Sequence, residues 1–143
     1  MLDQTHGGFM RTTFKLFLVA AALVMGGKAI AMGPQDEVPS KEVTIGLNDV
    51  YVPGGFDSSM VSYVVVSGMF PNGCYKWKGA EVKNTGTYRH EIVSKATVSQ
   101  GMCLMVLVPF TKDVKLGKLD AGTHVLRFLN GDGTYFEKSL NIE

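Results

Sequence analysis

The sequence predicts an all-β protein, an antiparallel β-sandwich of seven or eight strands that follows a cleaved signal peptide. Two observations on the chain carry this prediction. The N-terminal residues have the pattern of an export signal. The rest of the chain consists of short alternating or β-branched segments, with turn signals about every eight to twelve residues, and no amphipathic helical pattern follows residue 31. A small closed barrel is the alternative architecture.

Composition excludes several classes of protein. A chain of 143 residues has room for one domain. Hydrophobic residues make up 45% and charged residues 19%, which argues against intrinsic disorder. The formal net charge is only +1, so the chain as a whole has no field that attracts a polyanion, and we expect no nucleic-acid partner.

The export signal has three parts. Arg11 and Lys15 form a basic start, residues 16–25 form an uncharged apolar run, and Ala29 and Ala31 give the small-x-small pattern of a cleavage site. The apolar run is shorter than the roughly 20 residues that span a bilayer. A short membrane anchor is the alternative.

Cleavage divides the chain into three segments. We predict a signal peptide over residues 1–31, a flexible leader over residues 32–41 and a β-sandwich domain over residues 42–143. Met10 precedes the basic start and is a candidate for the true first residue. The mature protein is expected in the periplasm or outside the cell, with no membrane span after signal cleavage.

The first strands follow from alternation and from β-branched residues. Val43, Ile45 and Leu47 share one face of a half-buried strand. A Pro-Gly-Gly loop occupies residues 51–59, and residues 61–66 form a buried, valine-rich strand. Residues 70–73 then read Phe-Pro-Asn-Gly, which is a turn signal.

Two longer strands come next. Residues 74–83 form a strand that Asn-Thr-Gly ends at residues 84–86. Residues 88–98 form another, with Tyr88, His90 and Ile92 on one face.

The last part of the chain begins with an apolar run. Residues 102–108 are apolar on both faces and end before a proline, which predicts a central strand covered on both sides. An apolar face left open for a partner or a second copy is the alternative. Residues 114–119 form a short strand, and a hairpin joins residues 123–129 to residues 134–142 through Asn-Gly-Asp-Gly.

Residues 114–125 resemble a stretch of exported bacterial immunoglobulin-like domains, in which an LGxLxxGT turn leads into a late strand. The resemblance implies an immunoglobulin-like β-sandwich and no particular activity. The chain departs from antibody domains because Trp77 follows Cys74 by only three residues.

The two cysteines, Cys74 and Cys103, are predicted to form a disulfide, because an exported chain with two cysteines usually pairs them. Two separate buried thiols are the alternative.

The sequence contains no recognisable catalytic motif. Neither Gly-x-Ser-x-Gly nor His-Glu-x-x-His occurs, and the predicted mature chain keeps two histidines, His90 and His124. We therefore predict a non-enzymatic protein with no cofactor and no metal. The alternative is a periplasmic protein that binds a small molecule or copper, with soft ligands drawn from Met60, Met69, Met102, Met105 and His90.

The leading functional prediction is an exported binding module. Tyr75 and Trp77 share a strand face that either stacks on a ligand or packs into the sandwich. Together with Tyr51, Phe56 and His90 they form the expected binding surface. The expected partner is another envelope protein or a second copy of the chain.

Overall fold

The computed structural model describes residues 38–143, which form eight β-strands and no helix. The predicted signal peptide and most of the predicted leader lie outside the described residues. The strands, in chain order, are β1 (Ser40–Thr44), β2 (Asp49–Tyr51), β3 (Ser62–Phe70), β4 (Tyr75–Gly86), β5 (Arg89–Ser99), β6 (Val108–Gly117), β7 (Gly122–Leu129) and β8 (Tyr135–Ile142).

One sheet has five strands and is built around β5. The long strand β4 pairs antiparallel with β5 along one edge. The other edge of β5 is shared, since β1 pairs with its C-terminal half and β7 with its N-terminal half. The β5–β7 pair is parallel, and β8 continues the sheet beyond β7 as its antiparallel partner.

The second sheet has three antiparallel strands in the order β2-β3-β6. β3 alternates buried and more exposed residues along its length, so its buried face points to the other sheet. Gly68 on β3 is required there, because a Cβ atom at this position would lie 2.6 Å from the Phe110 ring.

The core lies between the sheets in two clusters. The larger cluster joins side chains from both sheets, and its buried members are Val50, Phe56, Val64, Val66, Ile92, Val114, Leu126, Phe128, Leu140 and Ile142. The smaller cluster consists of Ile45, Phe70, Ala96 and Phe110. These contacts across two sheets confirm the sandwich rather than the closed barrel.

Local sequence signals predicted several elements correctly. Ile45 is buried and Val43 and Leu47 are half-buried, as the alternation required. The hairpin of β7 and β8 closes through residues 130–133, where Gly133 has a φ of +87°. This left-handed conformation explains why a glycine ends the Asn-Gly-Asp-Gly turn.

Three sequence predictions were wrong in detail. Residues 102–108 do not form a central strand, because β6 begins only at Val108 and residues 100–107 are an exposed loop. The last residues of the predicted leader belong to the sandwich, since β1 begins at Ser40 and pairs with Ser99. The sandwich is not wholly antiparallel, because β7 runs parallel to β5.

Candidate functional site

The two sequence-predicted histidines meet at one end of the five-stranded sheet. His90 near the start of β5 and His124 near the start of β7 are 3% and 1% exposed. His90 Nε2 lies 2.8 Å from His124 Nδ1, and the rings stack with centroids 5.1 Å apart. The parallel pairing of β5 and β7 brings them together although they are 34 residues apart in the chain.

The pair is the centre of a hydrogen-bonded chain with Asn84 at one end and a backbone carbonyl at the other. Asn84 Oδ1 lies 2.7 Å from His90 Nδ1, and His124 Nε2 donates to the Asp120 carbonyl oxygen over 2.8 Å. The edge of the Tyr88 ring packs on His124 with centroids 5.0 Å apart. Every ring nitrogen of the pair therefore has a partner.

The number of protons on the pair depends on the Asn84 amide. When the amide oxygen faces His90, the two groups at the ends of the hydrogen-bonded chain, Asn84 Oδ1 and the Asp120 carbonyl, can only accept. The three hydrogen bonds then need three protons on the two rings, which gives the histidine pair a charge of +1. When its NH2 group faces His90, the amide donates and the neutral pair satisfies every bond. Burial favours the neutral state and lowers the pKa of His90, and repulsion from a protonated His124 adds to this effect.

The five residues of the expected binding surface do not lie together. Tyr51 on β2 is 65% exposed, whereas Phe56 is buried in the larger core cluster beside Ile142. His90 is buried in the histidine pair. Phe56 and His90 therefore offer no surface to a partner.

Tyr75 and Trp77 pack towards the smaller core cluster. Tyr75 stacks on Phe70 with centroids 5.8 Å apart, and Trp77 lies 5.5 Å from Phe110. Both side chains remain half-buried. Their inward contacts position β4 on the core and leave Lys76 exposed on the outside.

The methionines of the copper alternative are all exposed. Met60 precedes β3, Met69 lies near its end, and Met102 and Met105 lie in the loop before β6. Among residues 38–143, no three His, Cys, Asp or Glu side chains are grouped so that they could hold a metal ion.

A different feature is the most exposed apolar surface among the described residues. Residues 100–107, which we call the apolar loop, join β5 to β6 and carry no charge. Met102 is fully exposed, Met105 is 83% exposed and Leu104 is 76% exposed. Val106 and Leu107 are also at least half exposed. Contiguous exposed apolar side chains of this kind make the loop a candidate interaction site.

The disulfide fixes the apolar loop to the turn between β3 and β4. Cys103 of the loop is bonded to Cys74, as predicted, with Cα atoms 5.2 Å apart. Beside it, Gly73 donates a backbone hydrogen bond of 2.9 Å to the Leu104 carbonyl. We call this part of the sandwich, the apolar loop with turn residues 71–74, the disulfide end. The covalent bond holds the loop in place without burying its side chains.

Fold and site together define a β-sandwich with a disulfide-linked apolar loop at one end and a buried histidine pair at the other. The chain belongs to the ORF11 beta-sandwich domain family, whose sequence model matches residues 64–142. This match begins in β3 and extends to the end of β8, so it includes both the apolar loop and the histidine pair. No curated protein and no solved structure matches the chain. Within residues 38–143, no helix has the length and apolar character needed to cross a bilayer.

The sequence signals for these two sites were present but incomplete. The apolar run at residues 102–108 was recognised, and an exposed interface was one of its two interpretations. The cysteine inside the run was the signal against a buried strand, because its partner Cys74 follows a Pro-Asn-Gly turn at a sheet end. The contribution of Asn84 was missed, since its partner is reached only through the β4–β5 pairing.

Proposed function

We propose that this domain is an exported, non-enzymatic binding module whose contact surface is the disulfide end. The observation that supports this most directly is the exposure of the uncharged apolar loop. Apolar side chains in water stabilise neither the loop nor the core, whereas burial against a partner removes their area from water. The disulfide keeps this loop in one place, which lowers the entropy lost on binding.

Export is supported by the sequence and by the disulfide. Arg11, the apolar run at residues 16–25 and Ala31 give the signal pattern. A disulfide between Cys74 and Cys103 is typical of oxidising compartments. N-terminal sequencing of protein from an exporting cell should begin at or near Met32. A full-length cytoplasmic species as the sole product would contradict export.

The absence of catalysis is supported by how the buried polar side chains are used. The ring nitrogens of His90 and His124 are occupied by each other, by Asn84 and by a carbonyl. Ser94 is a buried hydroxyl on the same face of β5, but it lies four residues from His90, or about 13 Å along a strand. A base must lie within hydrogen-bonding distance of its nucleophile, so the two do not form a catalytic pair.

Photo-crosslinking in the exporting cell tests the contact surface. A benzophenone side chain at position 105, in the apolar loop, should form adducts with neighbouring molecules. The matched control places the same group at position 60, another exposed methionine, at the opposite end of the sandwich. Adducts at Met60 and none at Met105 would refute the assignment of the contact surface.

Elemental analysis of protein purified from its own envelope tests the alternative. Copper or zinc near one equivalent, lost in His90→Ala, would replace the binding-module proposal with a metal site.

A further inference from the structure

We infer that the apolar loop enters the hydrophobic surface of a lipid bilayer, so that the disulfide end rests on a membrane. This inference rests on the proposed function and names its partner. The side chains that would enter the bilayer are Met102, Leu104, Met105, Val106 and Leu107. Apolar side chains of peripheral proteins enter the boundary between headgroups and acyl chains to a depth of roughly 5–10 Å.

The composition of the apolar loop fits a bilayer better than a protein partner. Protein interfaces are enriched in Met as well as in Tyr, Trp and Arg, but the residues that contribute most of their binding free energy are chiefly Trp, Tyr and Arg. The loop contains none of those last three residues. Its Met and Leu side chains are exposed. A protein partner would need a pocket that matches them, whereas the headgroup and acyl-chain boundary of a bilayer takes up apolar side chains without a preformed pocket.

The distribution of charge leaves the disulfide end free to approach a bilayer. No charged residue occurs from residue 96 to residue 111. Along the strands, the charged side chains nearest the end are Lys41 on β1 and Lys76 on β4, and both are exposed. Long lysine side chains at this level can extend to the headgroups. The residues that would meet the acyl chains carry no charge, so the contact is apolar rather than electrostatic.

The N-terminal side of the described chain lies at the same end. Gln100 N donates a hydrogen bond of 2.9 Å to the Pro39 carbonyl, and a Cβ atom at Gly101 would lie 3.6 Å from Val38 Cγ1. The predicted signal, with its apolar run at residues 16–25, precedes Val38 in the sequence. The chain therefore enters the described domain at the disulfide end, which is the end that the inference places on a membrane.

A tryptophan reporter in the loop tests the inference on protein as isolated from the exporting cell. Leu104→Trp is mixed with phosphatidylcholine vesicles whose acyl chains carry bromine, which quenches indole fluorescence on contact. We expect a blue shift and quenching for Leu104→Trp. The matched control Val61→Trp, exposed at the opposite end, should show neither change. Both variants are made in a Trp77→Phe background, so that the introduced indole is the one that reports and binding through another segment does not imitate it.

Vesicle flotation of the otherwise unaltered protein measures the energetic contribution of the loop. Met102→Asp and Met105→Asp should each lower vesicle affinity about tenfold or more, since burial of one such side chain corresponds to at least one factor of ten. Met60→Asp adds the same charge at the opposite end and should leave affinity unchanged. Raising the salt concentration from about 0.1 M to about 0.5 M should also have little effect, because apolar contact is not screened.

Each other outcome overturns the lipid assignment in a recognisable way. An unquenched Leu104→Trp, or Met→Asp variants that bind vesicles as wild type does, would show that the loop does not enter lipid. Self-association that Met105→Asp abolishes, without vesicle contact, would replace the bilayer by a second copy and leave the proposed function intact. Loss of both vesicle contact and crosslinking at position 105 would refute the proposed function as well.

Discussion

Replacement of Asn84 by aspartate should weaken the pH dependence that the buried histidine pair gives to the stability of the domain. In the wild type, burial lowers the pKa of His90 below its ordinary value of 6.5. The unfolded chain then binds more protons than the folded chain as the pH falls below 6.5. The contribution of His90 to stability is therefore complete above pH 6.5 and is lost as the pH falls towards the folded-state pKa.

Asn84→Asp changes the number of protons that the hydrogen-bonded chain through His90 and His124 requires. A carboxylate can only accept, and the Asp120 carbonyl at the other end can only accept. Three hydrogen bonds then require three protons on His90 and His124, and the carboxylate adds an attractive negative charge. The pKa of the pair should rise above 6.5. A raised pKa contributes stability that is complete below pH 6.5 and is lost as the pH rises through the folded-state value.

The size of the effect follows from linkage. A difference of one bound proton changes the free energy of unfolding by at most about 1.4 kcal/mol per pH unit. Between about pH 6.5 and 5.5 Asn84→Asp should lose less stability than the wild type, by up to that amount, because its folded state already holds one more proton. Asn84 is exposed, so solvent screens the new carboxylate. We expect the change in stability over this pH unit to differ by about 1 kcal/mol between the two proteins.

Urea unfolding at several pH values, followed by circular dichroism, measures the two slopes. The measurements stay above pH 5, because the lowered pKa values of Glu42, Asp57 and Asp132 place the titration of these carboxylates below 4.5. Asn48→Asp is the control, since Asn48 is exposed on another strand connection. A slope in Asn84→Asp that equals the wild-type slope would refute the hydrogen-bond reasoning.

Two further predictions concern stability. Replacing both Cys74 and Cys103 by alanine should lower the free energy of unfolding by about 3.6 kcal/mol, because the disulfide closes a loop with a sequence separation of 29; a loss below about 1 kcal/mol in urea unfolding would contradict this. Gly131→Ala should cost about 1–3 kcal/mol, because its Cβ would lie 2.7 Å from the Thr44 carbonyl oxygen. Gly54→Ala, with no atom within 4 Å, should be close to neutral, and equal midpoints for both variants would refute the packing argument.

Predictions from the sequence succeeded where local chemistry decides the structure. The Asn-Gly-Asp-Gly turn at residues 130–133 specifies its hairpin through glycine and through the Asp132 carboxylate, which accepts from the Thr134 backbone over 2.9 Å. The alternation around Ile45 and Ile92 identified the buried faces because one side of each sheet meets the core.

The sequence was insufficient where a site depends on how distant strands meet. His90 and His124 contact each other only because β7 runs parallel to β5, and no residue near either histidine indicates that pairing. The same holds for Asn84, which reaches His90 across the β4–β5 register.

The apolar loop shows why apolarity alone does not predict burial. An apolar run such as residues 102–108 can form a core strand or an exposed apolar surface. The pattern of apolar residues is the same in both cases, so it does not distinguish them. The Cys74–Cys103 bond explains how the loop can be held in place while its side chains stay exposed. It stabilises the fold by restricting the unfolded chain, which does not require burial of those side chains. Met105 and Leu104 are 83% and 76% exposed, so their side chains contribute little to the packing of the domain, and polar residues at these positions would be more soluble. Under the proposed function, their apolar character is explained by what the loop contacts outside the domain, and Met105→Asp is then a test of function rather than of folding.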